Sequence, residues 1–222
     1  MEPGVLSIFT DTGEPVANQF LPHEEPAGVA IFLPGRGYGA TQPPVYFLME
    51  MLAARGYDTM SLRYWYQVQG VDPNPEADPQ AEEAGYIRAL EEARAAVRAV
   101  LQRRDYKDIL LIGKSYGTAI LNDLCLELPE LGRARLVHLT PIFPHEGFAE
   151  KFLRTRQPAL LVLGTLDPCY NSVQLEDLVR ARDFRLTVLP NVHHGLEDPD
   201  DYRNSIRLIE TICAAVEAFI DG

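Results

Sequence analysis

Two stretches of this 222-residue chain bring glycines and polar side chains together at spacings that can do chemistry. The first is Gly113-Lys114-Ser115-Tyr116-Gly117, a G-x-S-x-G in which a strand turns sharply into a helix and thrusts the serine hydroxyl outward. Its glycines suit a turn where neighbouring backbone approaches a strained central residue. The stretch also contains Gly-Lys-Ser, the end of a phosphate-binding loop. Such a loop needs its first glycine at position 108, where Asp108 stands, and Ile109 to Ile112 are strand formers unable to wrap a phosphate. The second stretch is Gly35-Arg36-Gly37-Tyr38-Gly39-Ala40, which fits the dinucleotide fingerprint G-x-G-x-x-A. A nicotinamide-dependent oxidoreductase would also need a ribose-binding acid at the end of the following strand. Arg63-Tyr64 is there instead, and Asp58 falls at that strand's start. A glycine-rich turn after a strand needs no nucleotide to explain it.

These motifs need strands and helices to hold them. Val5–Phe9 and Val16–Leu21 read as a hairpin turned by Asp11-Thr12-Gly13-Glu14. The apolar run Gly28–Pro34 reads as a strand buried on both faces, Val45–Arg55 as a helix stopped by Gly56, and Asp58–Tyr64 as the next strand. Tyr64–Pro79 reads as a loop punctuated by Pro73, Pro75 and Pro79. Ile87, Leu90, Ala93, Val97, Val100 and Leu101 keep the spacing of an amphipathic helix. Asp108–Gly113 is a strand, and a helix follows from about Ser115 to Leu128. Strands are then expected at Leu136–Thr140, Ala159–Gly164 and Arg185–Leu189, and helices at Phe148–Arg154 and Val173–Arg182. The last helix should bury the stripe Ile206, Ile209, Cys213, Val216 and Ile220. Alternating strands and helices predict an α/β fold: a three-layer α/β/α sandwich around a mainly parallel sheet, in one domain spanning 1–222. Reactive loops should gather at the carboxyl ends of the strands.

With the serine placed between a buried strand and a helix, the sequence resembles the α/β-hydrolase family over essentially its whole length. That family carries nucleophile, acid and histidine in this chain order, each after a strand. The resemblance puts Ser115 as nucleophile, Asp167 (in Leu163-Gly164-Thr165-Leu166-Asp167-Pro168) as acid and His194 (in Asn191-Val192-His193-His194-Gly195-Leu196) as base. His194 would take the proton of the serine hydroxyl, and Asp167 would fix the imidazole tautomer. The oxyanion would be held by the backbone N–H groups of Tyr116 and Arg36, the latter in Pro34-Gly35-Arg36-Gly37 where many relatives have His-Gly. His193 is the competing base, and a turn or helix-capping carboxylate is the competing role for Asp167. Asp198, Asp200 and Asp201 come too late for the family's order. Lys114 reads as a structural ammonium paired near the strand end, and His23, His138 and His145 as structural or solvated.

Only residues 142–157 separate Pro141 from Pro158, too few for a lid domain, so the site should be open. Tyr38, Tyr64, Trp65, Tyr66, Phe143 and Tyr170 are candidates for an aromatic wall there, or for packing against the sheet. Arg36 and Arg63 could receive an anionic substrate group or pair with the chain's many acids. The formal net charge of −12 argues against nucleic acid or anionic lipid as partner. Three scattered cysteines form no zinc or redox spacing, and neither a signal peptide nor an apolar run long enough to span a bilayer is visible. The resulting expectation is a cytoplasmic serine hydrolase without cofactor or metal, acting on a small-molecule ester-like acyl substrate. A thioesterase, a peptidase or a catalytically silent binding protein on the same fold are the alternatives.

Overall fold

The computed structural model describes residues 4–71 and 79–222. Its centre is a seven-stranded sheet built from β1 (Ala17–Leu21), β2 (Gly28–Leu33), β3 (Tyr57–Arg63), β4 (Ile109–Lys114), β5 (Arg135–Leu139), β6 (Ala159–Gly164) and β7 (Arg185–Leu189). The strand order is β1-β3-β2-β4-β5-β6-β7, with β1 antiparallel to β3 and every other pairing parallel. Strands buried on both faces need no polar alternation, which is why β2 and β6 are continuous apolar runs and β4 is one as far as Lys114, with every residue buried.

Alternate residues of each strand feed two separate cores. Val29, Ile31, Leu33, Ile109 and Leu111 pack with α3 (Pro79–Leu101), α4 (Tyr116–Glu127), α5 (Phe148–Arg154) and α6 (Ser172–Ala181). Ala30, Phe32, Leu110 and Ile112 pack with α1 (Val45–Ala54) and α7 (Tyr202–Asp221). The result is the expected three-layer sandwich. The chain winds from β2 to β3 on one side and then crosses to β4 on the other, so the strand order reverses between β2 and β4. Loops that leave the carboxyl ends of those two strands diverge there and open a crevice. No helix among the described residues is long and apolar enough to cross a membrane.

Three local expectations need correction. Val5–Phe9 forms no strand: pairing there is reduced to the isolated bridges Gly4–Phe20 and Phe9–Pro15. Pro15 has no N–H to continue a ladder, and Asn18 bonds both the N–H and the carbonyl of Leu6 in its place. The Tyr64–Pro79 segment holds a short helix, α2 (Trp65–Gln69), started by the Glu92 carboxylate on the Trp65 N–H at 2.9 Å and ended by Gly70 in the left-handed region. Residues 72–78 of that expected loop lie outside the described residues. α3 begins at Pro79, where the expected loop ends, and carries the stripe through its later turns. In α7 the buried stripe is Leu208, Ile212, Val216 and Phe219, while Ile206 is 61% exposed. Two apolar stripes overlap on that helix, and the one fitting the α1 side of the sheet wins.

Candidate active site

Ser115 stands between β4 and α4 with φ 52° and ψ −116°, a conformation that L-residues avoid. The surroundings hold it there. Its N–H donates to the Leu139 carbonyl at 2.9 Å, and its own carbonyl accepts from the Thr118 N–H at 2.8 Å and the Thr118 hydroxyl at 2.6 Å. Gly117 is obligatory for close approach: a Cβ there would lie 2.2 Å from the Leu33 carbonyl oxygen, so only glycine lets α4 start against the end of β2. The turn lifts the serine side chain clear of the sheet.

His194 arrives from the loop after β7. Its Nε2 is 2.8 Å from Ser115 Oγ, and its Nδ1 is 2.9 and 2.8 Å from the two carboxylate oxygens of Asp167, in the loop after β6. The chain thus brings the three sequence-selected residues into one continuous hydrogen-bonded line, from three loops at the same end of the sheet. Asp167 is 5% exposed, and its Oδ1 also accepts the Cys169 N–H at 2.7 Å. It therefore serves as a turn carboxylate as well as partner of the imidazole, whereas the cap of α6 is Asn171. His193 is exposed and points its N–H at the Glu197 carbonyl; it is not in the line. Asp198 and Asp201 are spent on the turn before α7, Asp198 with Asn204 and Asp201 as that helix's cap.

The backbone donors selected from sequence flank the serine. Tyr116 opens α4, where its N–H has no carbonyl one turn earlier within the helix to bond. The loop carrying Arg36 is equally close, since a Cβ at Gly35 would sit 3.3 Å from the Ser115 Cβ. A tight turn, with the Gly35 N–H on the Tyr38 carbonyl at 3.0 Å, shapes that loop. The Arg36 side chain is occupied: it pairs with Glu82 at 2.9 Å and lies over the Tyr116 ring. Arg63 is exposed and donates to the Gln67 carbonyl. An open cleft of about 510 Å³, bordered by Arg36, Gln42, Tyr66, Gln67 and Val71, runs from this loop along α2.

Of the six aromatic candidates for a wall or for packing, Tyr64, Tyr66 and Phe143 are buried in the core on the α3–α4 side. Tyr38, Trp65 and Tyr170 are only partly covered. Among the other histidines, His138 is fully buried against Asn122 at 2.9 Å, and burial pulls it down to about 3. His145 stacks on Tyr86.

Lys114 is buried, and its Nζ lies 2.7 Å from Thr140 Oγ1 and 2.8 Å from the His194 carbonyl oxygen. Loss of water pulls the ammonium down to about 8, against the opposing pull of Asp167 and Cys169. Sequence reasoning did not find Thr140. A threonine after a strand carries no signal of its own, and its positive φ of 49° is visible only in the folded chain.

Asp167, Cys169 and His194 are the one group among the described residues whose potential metal-ligating atoms cluster, all within 4.8 Å of one another. Asp167 and His194 are committed to each other, and burial and the neighbouring Asp167 carboxylate push the Cys169 thiol up to about 11. The donor set fits a hydrogen-bonded histidine better than a thiolate metal ligand.

No protein-family model and no curated protein sequence matches this chain. Solved structures do. A protein of unknown function from Agrobacterium tumefaciens, proposed to be an α/β hydrolase, superposes with a TM-score of 0.73 at 18% identity, over 100% of this chain and 97% of its own. A lidless α/β serine hydrolase from Xanthomonas campestris gives 0.71 at 17% identity, over 99% and 95%. An esterase from Pyrococcus furiosus gives 0.72 at 13% identity, over 99% and 91%.

Proposed function

This chain has the α/β-hydrolase fold without a lid, and on that premise we propose that it is a serine hydrolase cleaving ester-like acyl substrates through an acyl-enzyme on Ser115. The observation that carries the reading is the His194 imidazole spanning Ser115 Oγ and the Asp167 carboxylate at 2.8 Å on either side. A serine hydroxyl is a weak nucleophile until a base takes its proton. Nε2 of His194 accepts that proton as Oγ attacks the acyl carbon, and returns it to the leaving group. Asp167, hydrogen-bonded to Nδ1, keeps the tautomer that leaves Nε2 free to accept and stabilises the imidazolium. The N–H groups of Tyr116 and Arg36 receive the oxyanion, a contribution of about 2.7–4 kcal/mol per donor in comparable sites. Water, deprotonated by the same imidazole, then releases the acid.

The lidless hydrolase from Xanthomonas campestris and the esterase from Pyrococcus furiosus support the reaction class. The absence of an inserted domain between Thr140 and Ala159, where only α5 intervenes, supports a small substrate reached from open solvent. Three free cysteines support a cytoplasmic setting. The test is a fluorophosphonate probe followed by peptide mapping. The expected adduct is on Ser115, lost in Ser115→Ala, with hydrolysis of short activated esters lost in parallel. A folded protein that takes no label and turns over no acyl ester, thioester or amide overturns the reading in favour of a binding protein.

A further inference from the structure

A serine–histidine–carboxylate line needs no buried cation, yet this one has an ammonium directly beneath its base. Lys114 is 2% exposed. Removing an ammonium from water is costly unless each of its hydrogens finds an acceptor. Here Thr140 Oγ1 lies at 2.7 Å, the His194 carbonyl oxygen at 2.8 Å and the centroid of the Tyr38 ring at 4.7 Å. Two oxygens and one π-face thus serve three hydrogens. None of these partners is a carboxylate, so a salt bridge does not explain the lysine. Stability does not explain it either, because an apolar side chain of similar length fills such a site at no greater cost.

The partners belong to three loops that the sheet alone does not join. Tyr38 is in the loop after β2, which also carries Arg36; Thr140 follows β5; His194 follows β7. Tyr38 adds a second tie, its hydroxyl donating to the Gly195 carbonyl at 3.3 Å. Lys114 is covalently next to Ser115, so its side chain measures off the histidine loop from the nucleophile itself.

We infer that Lys114 is a positioning residue whose ammonium, seated on Thr140 Oγ1 and the Tyr38 ring, holds the main chain of His194 and thereby sets the imidazole against Ser115. The inference rests on the proposed hydrolase chemistry for its consequences in rate, but its geometric claim is independent of substrate. It also predicts a pH signature. The ionisable groups around the ammonium are Asp167, Cys169, His194 and the Tyr38 phenol, with Glu197 beyond the phenol. Lys114 is held at about 8, below the ordinary 10.5. Between those values the unfolded chain keeps a proton that the folded protein has shed, so this group makes the fold more stable as pH rises. Positioning weakens over the same interval as the ammonium becomes an amine. The contributions of Lys114 to activity and to stability therefore move in opposite directions between pH 8 and 10.5, while the raised Cys125 and Cys169 thiols oppose its stabilising share above pH 9.

The test uses Lys114→Met, which keeps length and removes the donors, and Thr140→Val, which removes one acceptor. In Lys114→Met the rate of fluorophosphonate labelling should fall about 10- to 100-fold, the loss of one charged hydrogen bond. The fall should appear in kcat rather than KM, with the alkaline limb near pH 8 gone and the melting temperature at pH 7 no lower. Thr140→Val should keep the limb and shift it to lower pH. A crystal structure of Lys114→Met should show His194 Nε2 displaced from Ser115 Oγ. An imidazole still 2.8 Å from the serine, or a labelling rate and alkaline limb unchanged from wild type, overturns the inference. If the wild-type protein takes no label, the hydrolase reading fails instead, and the imidazole position in Lys114→Met still decides this one.

Discussion

Adding a single methyl group at Gly164, the last residue of β6, would place a Cβ 2.1 Å from the carbonyl oxygen of Val192, two residues before His194. Carbon and oxygen do not settle closer than about 3 Å, so the β6 end or the histidine loop must withdraw by roughly 1 Å. The loop is the softer of the two, because β6 is hydrogen-bonded on both sides, to β5 and β7. Overpacking of this kind costs about 1–3 kcal/mol. Withdrawal also breaks the bond from the Leu166 N–H to the Val192 carbonyl, now 3.0 Å long and worth about 1 kcal/mol. A total of about 2–4 kcal/mol lowers the melting temperature by roughly 4–16 °C in a chain of this size. The effect on chemistry should be larger than the effect on folding, because a 1 Å misplacement of a reacting group costs about 100-fold in rate. Gly164→Ala should therefore remain folded at 25 °C and acylate with fluorophosphonate about 100 times more slowly. The assay pairs a calorimetric melt with time-resolved labelling. Labelling at the wild-type rate would show that His194 does not depend on the backbone contact between β6 and Val192, and the positional argument would fail.

Asp167→Asn keeps the shape but cannot hold the imidazole in the required tautomer, so acylation should drop by about 10⁴-fold with little loss of stability, read from labelling kinetics and a melt. Arg36→Ala removes the guanidinium and its half-buried pair with Glu82 while leaving the backbone N–H in place. Stability should change by about 0–1 kcal/mol and turnover of neutral esters by no more than a few-fold, whereas a large selective loss on anionic esters would assign Arg36 to substrate binding. His138 sits neutral in the core at about 3, below its ordinary 6.5, so the unfolded chain binds the extra proton between those values. Stability from this residue is complete above pH 6.5 and declines on acidification by about 1.4 kcal/mol per pH unit; His138→Gln should remove that share of the slope in urea titrations at pH 4–6, and an unchanged slope would contradict the assignment.

What the sequence shows well is whatever rests on strong local preferences. Gly28–Leu33, Ile109–Gly113 and Ala159–Gly164 are apolar runs bounded by turn or polar residues, and a sheet covered on both faces suits all three. Because the carboxyl ends of parallel strands share one edge, placing Ser115, Asp167 and His194 after such strands already brings them to the same end. The choice of His194 over His193 already follows from its place before Gly195 and Leu196, whereas the 2.8 Å contacts are visible only in the folded chain. The errors arise where a distant partner outweighs the local pattern. Trp65–Gln69 looks like loop because it is five residues long, and although Gln67 caps the Tyr64 N–H locally, the Trp65 N–H is bonded by Glu92, far along the chain. The aromatic run Tyr64–Tyr66 cannot be divided between wall and core beforehand because aromatics suit both equally, and the core beneath α3 takes two of the three.

Lys114 shows how far a motif can mislead about its own members. In Gly-Lys-Ser it suggests a phosphate, whereas at the end of a strand it reads as a paired structural ammonium. The alternation of β4 decides between them. Leu110 and Ile112 face the α1–α7 side, so residue 114 must face it too, and on that side its direct partners are the loops of Tyr38 and His194, with the Asp167 carboxylate acting on it only through space. A cation buried there lowers no barrier by itself. What it supplies is a fixed distance between the residue beside the nucleophile and the main chain of the base, and that distance is set by one side chain and the loops of Tyr38, Thr140 and His194 rather than by the sheet.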